Sequence, residues 1–216
     1  MLRKNLRCVG GKPLVVRAIE QARAARNLDD VVVSTDDAEI AAVSEQAGAE
    51  VLRRPVALAT DRAPTLAVLQ HVLHTRNFRE MPAKVVTLQP TSPLRCAWQI
   101  DEAITLLTSD FDAVVSVCPA SHSPYKMFSI VGDALRPLLD GTLAPGIARQ
   151  DLPIAYQENG AVYVTWTRVI LEQNSIWGKR TKPFVMDTES SVDIDTAFDL
   201  ILAETILSTR QHAKGE

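Results

Sequence analysis

The feature that most constrains this chain is a rhythm: short β-branched runs, each followed by a stretch with helical spacing. Val31–Thr35 reads VVVST, a continuous run of the kind a strand needs when both of its faces are covered. Asp36 and Asp37 follow it and open a helix that Gly48 closes. Upstream, Pro13 sits where a first helical turn tolerates it, and Val15, Ala18, Ile19 and Ala22 recur on one helical face, which predicts a helix over roughly 13–27. Further strands are expected at 51–53, 84–89 and 113–118, with helices near 64–77 and 97–108. Repeated strand–helix units of this sort stack a mainly parallel sheet between helices, so the expected class is a single α/β domain spanning 1–216. From 119 to 159 the rhythm weakens into a Pro-, Ser- and Gly-containing stretch, read as an excursion from the sheet that could serve as a pairing arm at about 120–160. Strands resume at GAVYVTW and TKPFVMD, and a last helix is expected from about Thr196 to Ser208.

Charge narrows the partners. The 23 basic and 26 acidic residues leave a net charge of -3, without the basic footprint used against nucleic-acid phosphates, so a small charged ligand is expected instead. Cys8, Cys96 and Cys118 are odd in number and widely spaced, which supports neither a disulfide framework nor a thiolate zinc site and points to a reducing cytoplasmic setting. No apolar run approaches the roughly 20 residues of a membrane span, and the first residues lack a signal-peptide core. His71 and His74 lie three apart without acidic or cysteine companions and read as surface residues. No GxSxG, P-loop or GxGxxG pattern occurs.

In an open parallel sheet, ligands gather beyond the carboxyl ends of the strands, so the residues just after each strand carry the chemistry. The segment STDD at 34–37 offers either a helix cap or polar contacts. LQPTSPLR at 88–95 offers Gln89, Thr91 and Ser92 on a loop stiffened by two prolines, with Arg95 bringing positive charge to the mouth; a sugar or base would suit it, as would an ordinary turn. Asp193 and Asp195 are two apart, and extended backbone would turn both carboxylates to one side, as Mg²⁺ requires; the competing reading makes Asp195 a helix cap. Arg149 and Gln150 could reach an acidic ligand, and Asn159 with Gly160 reads as a turn before a strand, with a ligand role for Asn159 in addition.

Taken in order along nearly the whole chain, RKNLR with GGKPL, VVVSTDD, RRPVALATD, LQPTSPLR, SPYK, RQDLP with NGAVYV, and SVDIDT resemble the acylneuraminate cytidylyltransferases, the CMP-sialic acid synthetase family. The resemblance implies a Rossmann-like nucleotide-diphospho-sugar transferase fold with a protruding dimerisation arm. It also implies a reaction in which CTP and a nine-carbon acidic 2-keto sugar give CMP-sugar and pyrophosphate. It implies a homodimer, and Mg²⁺ held by Asp193 and Asp195. It assigns Lys4, Asn5, Arg54 and Thr65 to the nucleotide, and Gln89, Thr91, Ser92, Asn159 and Tyr163 to the sugar. Lys126 and Arg149 match basic positions on the arm that reach a neighbour's site, where they would meet carboxylate or phosphate.

Two departures from the family pattern carry expectations of their own. The family opens with a strand and an Ala-Arg-x-Gly-Ser-Lys type loop before its Lys-Asn, whereas the residues ahead of the first helix here cannot supply both. The resemblance therefore implies a truncated or decayed chain with weak CTP binding and reduced stability. Gln157 stands where some sialic acid enzymes carry Arg, which implies legionaminic or pseudaminic acid, or another sialic-like sugar, as acceptor. The alternatives are transfer to 3-deoxy-manno-octulosonate and a non-catalytic homologue that keeps the fold.

Overall fold

The structure is a computed structural model that describes residues 3–60, 62–139 and 148–215. A two-residue antiparallel pair, β1 (Cys8–Val9) and β2 (Lys12–Pro13), reverses direction through Gly10 and Gly11, both at positive φ, where side chains are strained. It delivers Pro13 to the start of α1 (Leu14–Ala24), whose buried residues Leu14, Val15, Ala18, Ile19 and Ala22 form the face expected from their spacing. β3 (Val32–Thr35) leads to α2 (Ala38–Gln46), capped by Asp37, whose carboxylate accepts from Glu39 N at 2.7 Å and Ile40 N at 3.0 Å. Gly48 at φ 83° ends that helix, and β4 (Glu50–Arg53) pairs in parallel with β3. The chain continues through α3 (Thr65–Thr75), β5 (Lys84–Thr87), α4 (Ala97–Leu106) and β6 (Ala113–Pro119). A hairpin of β7 (Phe128–Val131) and β8 (Ala134–Pro137) then stands outside the main sheet. β9 (Tyr156–Trp166), α5 (Thr167–Glu172), β10 (Thr181–Val185) and α6 (Ala197–Gly215) complete it.

The four-stranded sheet runs β10-β6-β9-β5. β10 is parallel to β6, and β9 is antiparallel to both β6 and β5. Three strands therefore share one direction, and the expected mainly parallel sheet is mixed. The reason is topological: the chain leaves β6 at its carboxyl end and re-enters β9 at that same end, so no crossover connection turns it round. As a result the start of β9 joins the ends of β5, β6 and β10 on one edge. β3 and β4 form a separate two-stranded ladder, tied in through Val15 and Ile19 of α1, which pack with Val31, Val33 and Ile40.

Asn159-Gly160 is not a turn; both residues lie inside β9. Val115 pairs with Tyr163 and Val117 with Glu158, so Asn159, Gly160, Ala161 and Val162 together face the single residue Ser116. The signal in the dipeptide is positive φ, 68° at Gly160, which a bulge uses as readily as a turn. Gln157 likewise sits in the strand, opposite Cys118. The excursion at 120–160 contains the β7–β8 hairpin, while 140–147 lie outside the described residues. Among the described residues no helix is long and apolar enough to cross a membrane.

Candidate functional site

Two apolar residues bring the site's loops together. Leu94, from the loop after β5, and Ile194, from the segment before α6, are buried in one cluster with Val9, Leu14 and Ala203. Each fully buried aliphatic side chain of this kind contributes about 1.5–3 kcal/mol. Ile194 points inward at 0% exposure, while Asp193 on one side of it is part-buried and Asp195 on the other is exposed. Thr91 stitches the two loops at that point: its carbonyl accepts from Ile194 N at 2.8 Å, and its hydroxyl is near enough to help hold down the Asp193 pKa.

Asp195 does not cap α6. Thr196 and Asp199 do so, with the Asp199 carboxylate accepting from Thr196 N at 2.7 Å and Asp195 N at 3.0 Å, and Thr196 Oγ1 accepting from Asp199 N at 3.4 Å. The Asp195 side chain is left exposed and pairs with Lys4 Nζ at 2.9 Å. Burial raises the Asp193 carboxyl above the ordinary carboxylate range, and the charge of Asp195 adds to this, while the Thr91 hydroxyl, Lys4 and the Ile194 amide oppose it. One Asp193 oxygen, Oδ1, is buried with no hydrogen-bond partner. An orphaned carboxylate oxygen beside a second carboxylate fits a hard divalent cation. Among the described residues no group of three or more His, Cys, Asp or Glu gathers for a metal, so phosphate and water would supply the other ligands.

The loop at 88–95 is held by donors to the carbonyls of Gln89, Thr91, Pro93 and Leu94. Its prolines remove N–H donors that a turn would use, and long side chains take their place. Pro93 O accepts from Gln21 Nε2 at 2.9 Å and Arg17 Nε at 3.4 Å, Leu94 O from Arg210 Nη1 at 3.1 Å, and Gln89 O from Arg95 Nη1 at 3.2 Å. Arg95 thus faces inward at 1% exposure and does not bring charge to the mouth. Desolvation lowers its pKa to about 10. Thr91 and Ser92, expected at the sugar, are buried, and the Ser92 hydroxyl donates to Asn159 O at 3.3 Å; they brace the loop from within. Gln89 remains part-exposed, and its side-chain amide makes no hydrogen bond within the described residues.

The β9 bulge is held by Asn159. Its Oδ1 accepts from Ser116 Oγ at 2.6 Å and Ala161 N at 3.1 Å, and its Nδ2 donates to Ser191 Oγ at 2.8 Å. With 3% exposure and its amide fully used, Asn159 supports the site from behind and offers nothing to a ligand, contrary to the sequence expectation. Beside it the Tyr163 hydroxyl donates to Glu158 Oε2 at 2.9 Å. Burial, then Glu158, raises the Tyr163 pKa, with a smaller contribution from the charge of Asp193, so the phenol stays a neutral donor next to the acidic pair.

The remaining candidates lie further out. Asn5 shares the 3-10 turn Lys4–Leu6 with Lys4 and is part-buried. Arg54, after β4, donates Nε to Ser34 Oγ at 3.2 Å and Nη2 to Ser34 O, and burial lowers its pKa. Thr65 is the exposed first residue of α3. Lys126 is exposed in the turn Pro124–Lys126, ahead of β7, with no bond to the acidic pair. Arg149 has its backbone in the turn Arg149–Asp151, but its side chain lies outside the described residues. Sequence reading missed Glu158 as the partner of Tyr163 and Asp199 as the cap; the T-x-x-D spacing at 196–199 carried the second signal.

The fold is that of α/β nucleotidyltransferases. A CMP:2-keto-3-deoxy-manno-octonic acid synthetase solved with CTP superposes with a TM-score of 0.71, covering 97% of this chain and 93% of that one at 14% identity. A cytidylyltransferase family model matches residues 1–213, and the chain belongs to that family. It is 35% identical to a CMP-N,N'-diacetyllegionaminic acid synthase of Legionella pneumophila over 97% of this chain and 91% of the relative. It is 32% identical to an N-acylneuraminate cytidylyltransferase of Escherichia coli, spanning 98% of this chain but only 50% of that protein.

Proposed function

We propose that this chain transfers CMP from CTP to a sialic-acid-like 2-keto acid sugar, with release of pyrophosphate. The observation that carries this reading is the acidic pair Asp193 and Asp195, set against Lys4 on one side and Thr91 of the polar loop on the other. The anomeric hydroxyl of the sugar attacks the α-phosphorus of CTP, the bond to the bridging oxygen breaks, and the hydroxyl proton is lost as pyrophosphate departs. Asp193 and Asp195 would hold Mg²⁺, which supplies positive charge to the triphosphate as the leaving group forms. Lys4, which pairs with Asp195 at 2.9 Å, would turn its ammonium to the phosphates, with Asn5 beside it. Arg54 and Thr65 serve the nucleotide, while the free amide of Gln89 and the neutral Tyr163 phenol orient the sugar. Thr91, Ser92 and Asn159 act on the sugar only through the loop and bulge that they brace. Gln157 and the similarity to a legionaminic acid synthase favour legionaminate among the acceptors.

The β7–β8 hairpin belongs to the same reading as a homodimer arm. A two-stranded hairpin is marginal alone in water, yet this one exposes Phe128, Ile130, Val131 and Leu135, apolar surface that a second copy would cover. Lys126 adjoins it and Arg149 follows it, where either would reach the partner's substrate. Such an enzyme acts on metabolites of the cytoplasm.

The test is pyrophosphate release from CTP and Mg²⁺ with legionaminic, pseudaminic, N-acetylneuraminic and 3-deoxy-manno-octulosonic acids in parallel. Release with a sialic-like acid, abolished in Asp195→Ala, is the expected result. Release with 3-deoxy-manno-octulosonate alone, or with none of the four, overturns the assignment.

A further inference from the structure

Arg95 has the largest side chain among the fully buried residues, and no carboxylate among the described residues pairs with it. Its Nη1 donates to two carbonyls on separate elements, Gln89 O at 3.2 Å in the loop after β5 and Ala161 O at 2.6 Å in the β9 bulge. Its Nε and Nη2 are buried without partners. A desolvated cation is costly unless its bonds hold something that matters elsewhere. What these bonds hold is the contact between Gln89 and Gly160. Gly160 lies next to Ala161, and a Cβ built on it would come within 2.6 Å of Gln89 Oε1. The Gln89 amide therefore rests against bare main chain, in space that only glycine leaves open, with its own hydrogen-bonding capacity unspent.

We infer that Arg95 is a positioning residue for the acid sugar: by clamping Gln89 O to Ala161 O it presents the Gln89 carboxamide, seated over Gly160, in one orientation. This rests on the assignment of Gln89 to the sugar made above. The clamp touches none of the residues assigned to the nucleotide base and phosphates, because Lys4, Arg54 and Thr65 hang on other elements. A guanidinium suits the task, since one flat group reaches two carbonyls that face it from different directions.

Steady-state kinetics on three variants test this. Arg95→Met should raise KM for the sugar about tenfold, the size expected when one oriented hydrogen bond is lost, while KM for CTP changes less than about twofold. Arg95→Lys, which keeps donors and charge, should recover part of the loss. In a Gln89→Ala background Arg95→Met should add nothing further, because the clamp acts through Gln89. Equal rises in both KM values, or effects of the two substitutions that multiply, overturn the inference. Should Arg95→Met fail to fold, Gly160→Ala supplies the second route: its Cβ displaces the Gln89 amide and should reproduce the split, and an unchanged sugar KM counts against the proposal. Hydrogen exchange across 88–95 in the ligand-free protein judges the clamp without turnover. Faster exchange in Arg95→Lys than in wild type is expected, and identical exchange sinks it. Absence of turnover in wild type would instead refute the function while leaving that measurement to decide the clamp.

Discussion

Asp193 is a carboxylate whose surroundings suit a cation better than solvent. Because burial and Asp195 raise its pKa, the folded state binds its proton more tightly than the unfolded chain does. Its contribution therefore weakens the fold as pH rises through that raised range, and vanishes below the ordinary carboxylate value, where both states are protonated. Asp193→Asn is accordingly expected to raise Tm at about pH 7 in metal-free buffer, with the gain fading toward about pH 3. The same change should erase any stabilisation by Mg²⁺. Thermal unfolding across that pH range checks it, and a lower Tm at neutral pH would contradict the electrostatic account. At this scale the sequence was a partial guide. The burial of Ile194 between part-buried Asp193 and exposed Asp195 follows alternation, which is a local rule. Arg95 was not legible, since its spacing says nothing about whether the guanidinium turns outward to solvent or inward to Gln89 O and Ala161 O. Asn159 was misread for the same reason: its amide partners, Ser116 and Ser191, are distant in the chain.

Elements carry predictions that single residues do not. The cap of α6 also fixes the backbone of Asp195, because the Asp199 carboxylate accepts from both Thr196 N and Asp195 N. Asp199→Ala should cost about 1 kcal/mol of stability, as lost caps do. It should also weaken the Mg²⁺ response, which Glu204→Ala, further along the helix, should leave intact. Denaturant titration with and without the ion separates the two effects, and an equal Mg²⁺ response in both variants would deny the coupling. For the β7–β8 hairpin, Ile130→Lys with Leu135→Lys should shift sedimentation from dimer to monomer without loss of helix content. A wild type that sediments as a monomer would dismiss the arm. The helices α1, α2, α3 and α4 and the strands β3 to β6 follow the sequence closely, since their signals, Pro13 at a start, Asp37 at a cap and Gly48 at an end, act within a few residues, whereas the short pair β1 and β2 was not expected. The hairpin and α5 escaped notice: the first is apolar on exposed faces, and the second is a single short segment between strands.

For the whole molecule, a ligand that binds only the folded state must raise its stability. CTP with Mg²⁺ at a hundred times its dissociation constant would add about 2.7 kcal/mol. In a chain of this length that corresponds to a Tm increase of roughly 5–10 °C. Differential scanning fluorimetry with CTP, and with ATP as control, gives the comparison; equal shifts for both nucleotides would argue against a cytidine site. The sequence by itself determined the α/β class and most element positions, because hydrophobic period, caps and turns are read within a handful of neighbouring residues. Only the tertiary structure decided that β9 runs antiparallel between β6 and β5, that Asn159 and Gly160 form a bulge, and that Arg95 points inward. Those outcomes depend on which strand lies alongside and which carbonyls lack donors, energies set between residues far apart in the chain and therefore invisible to any local pattern.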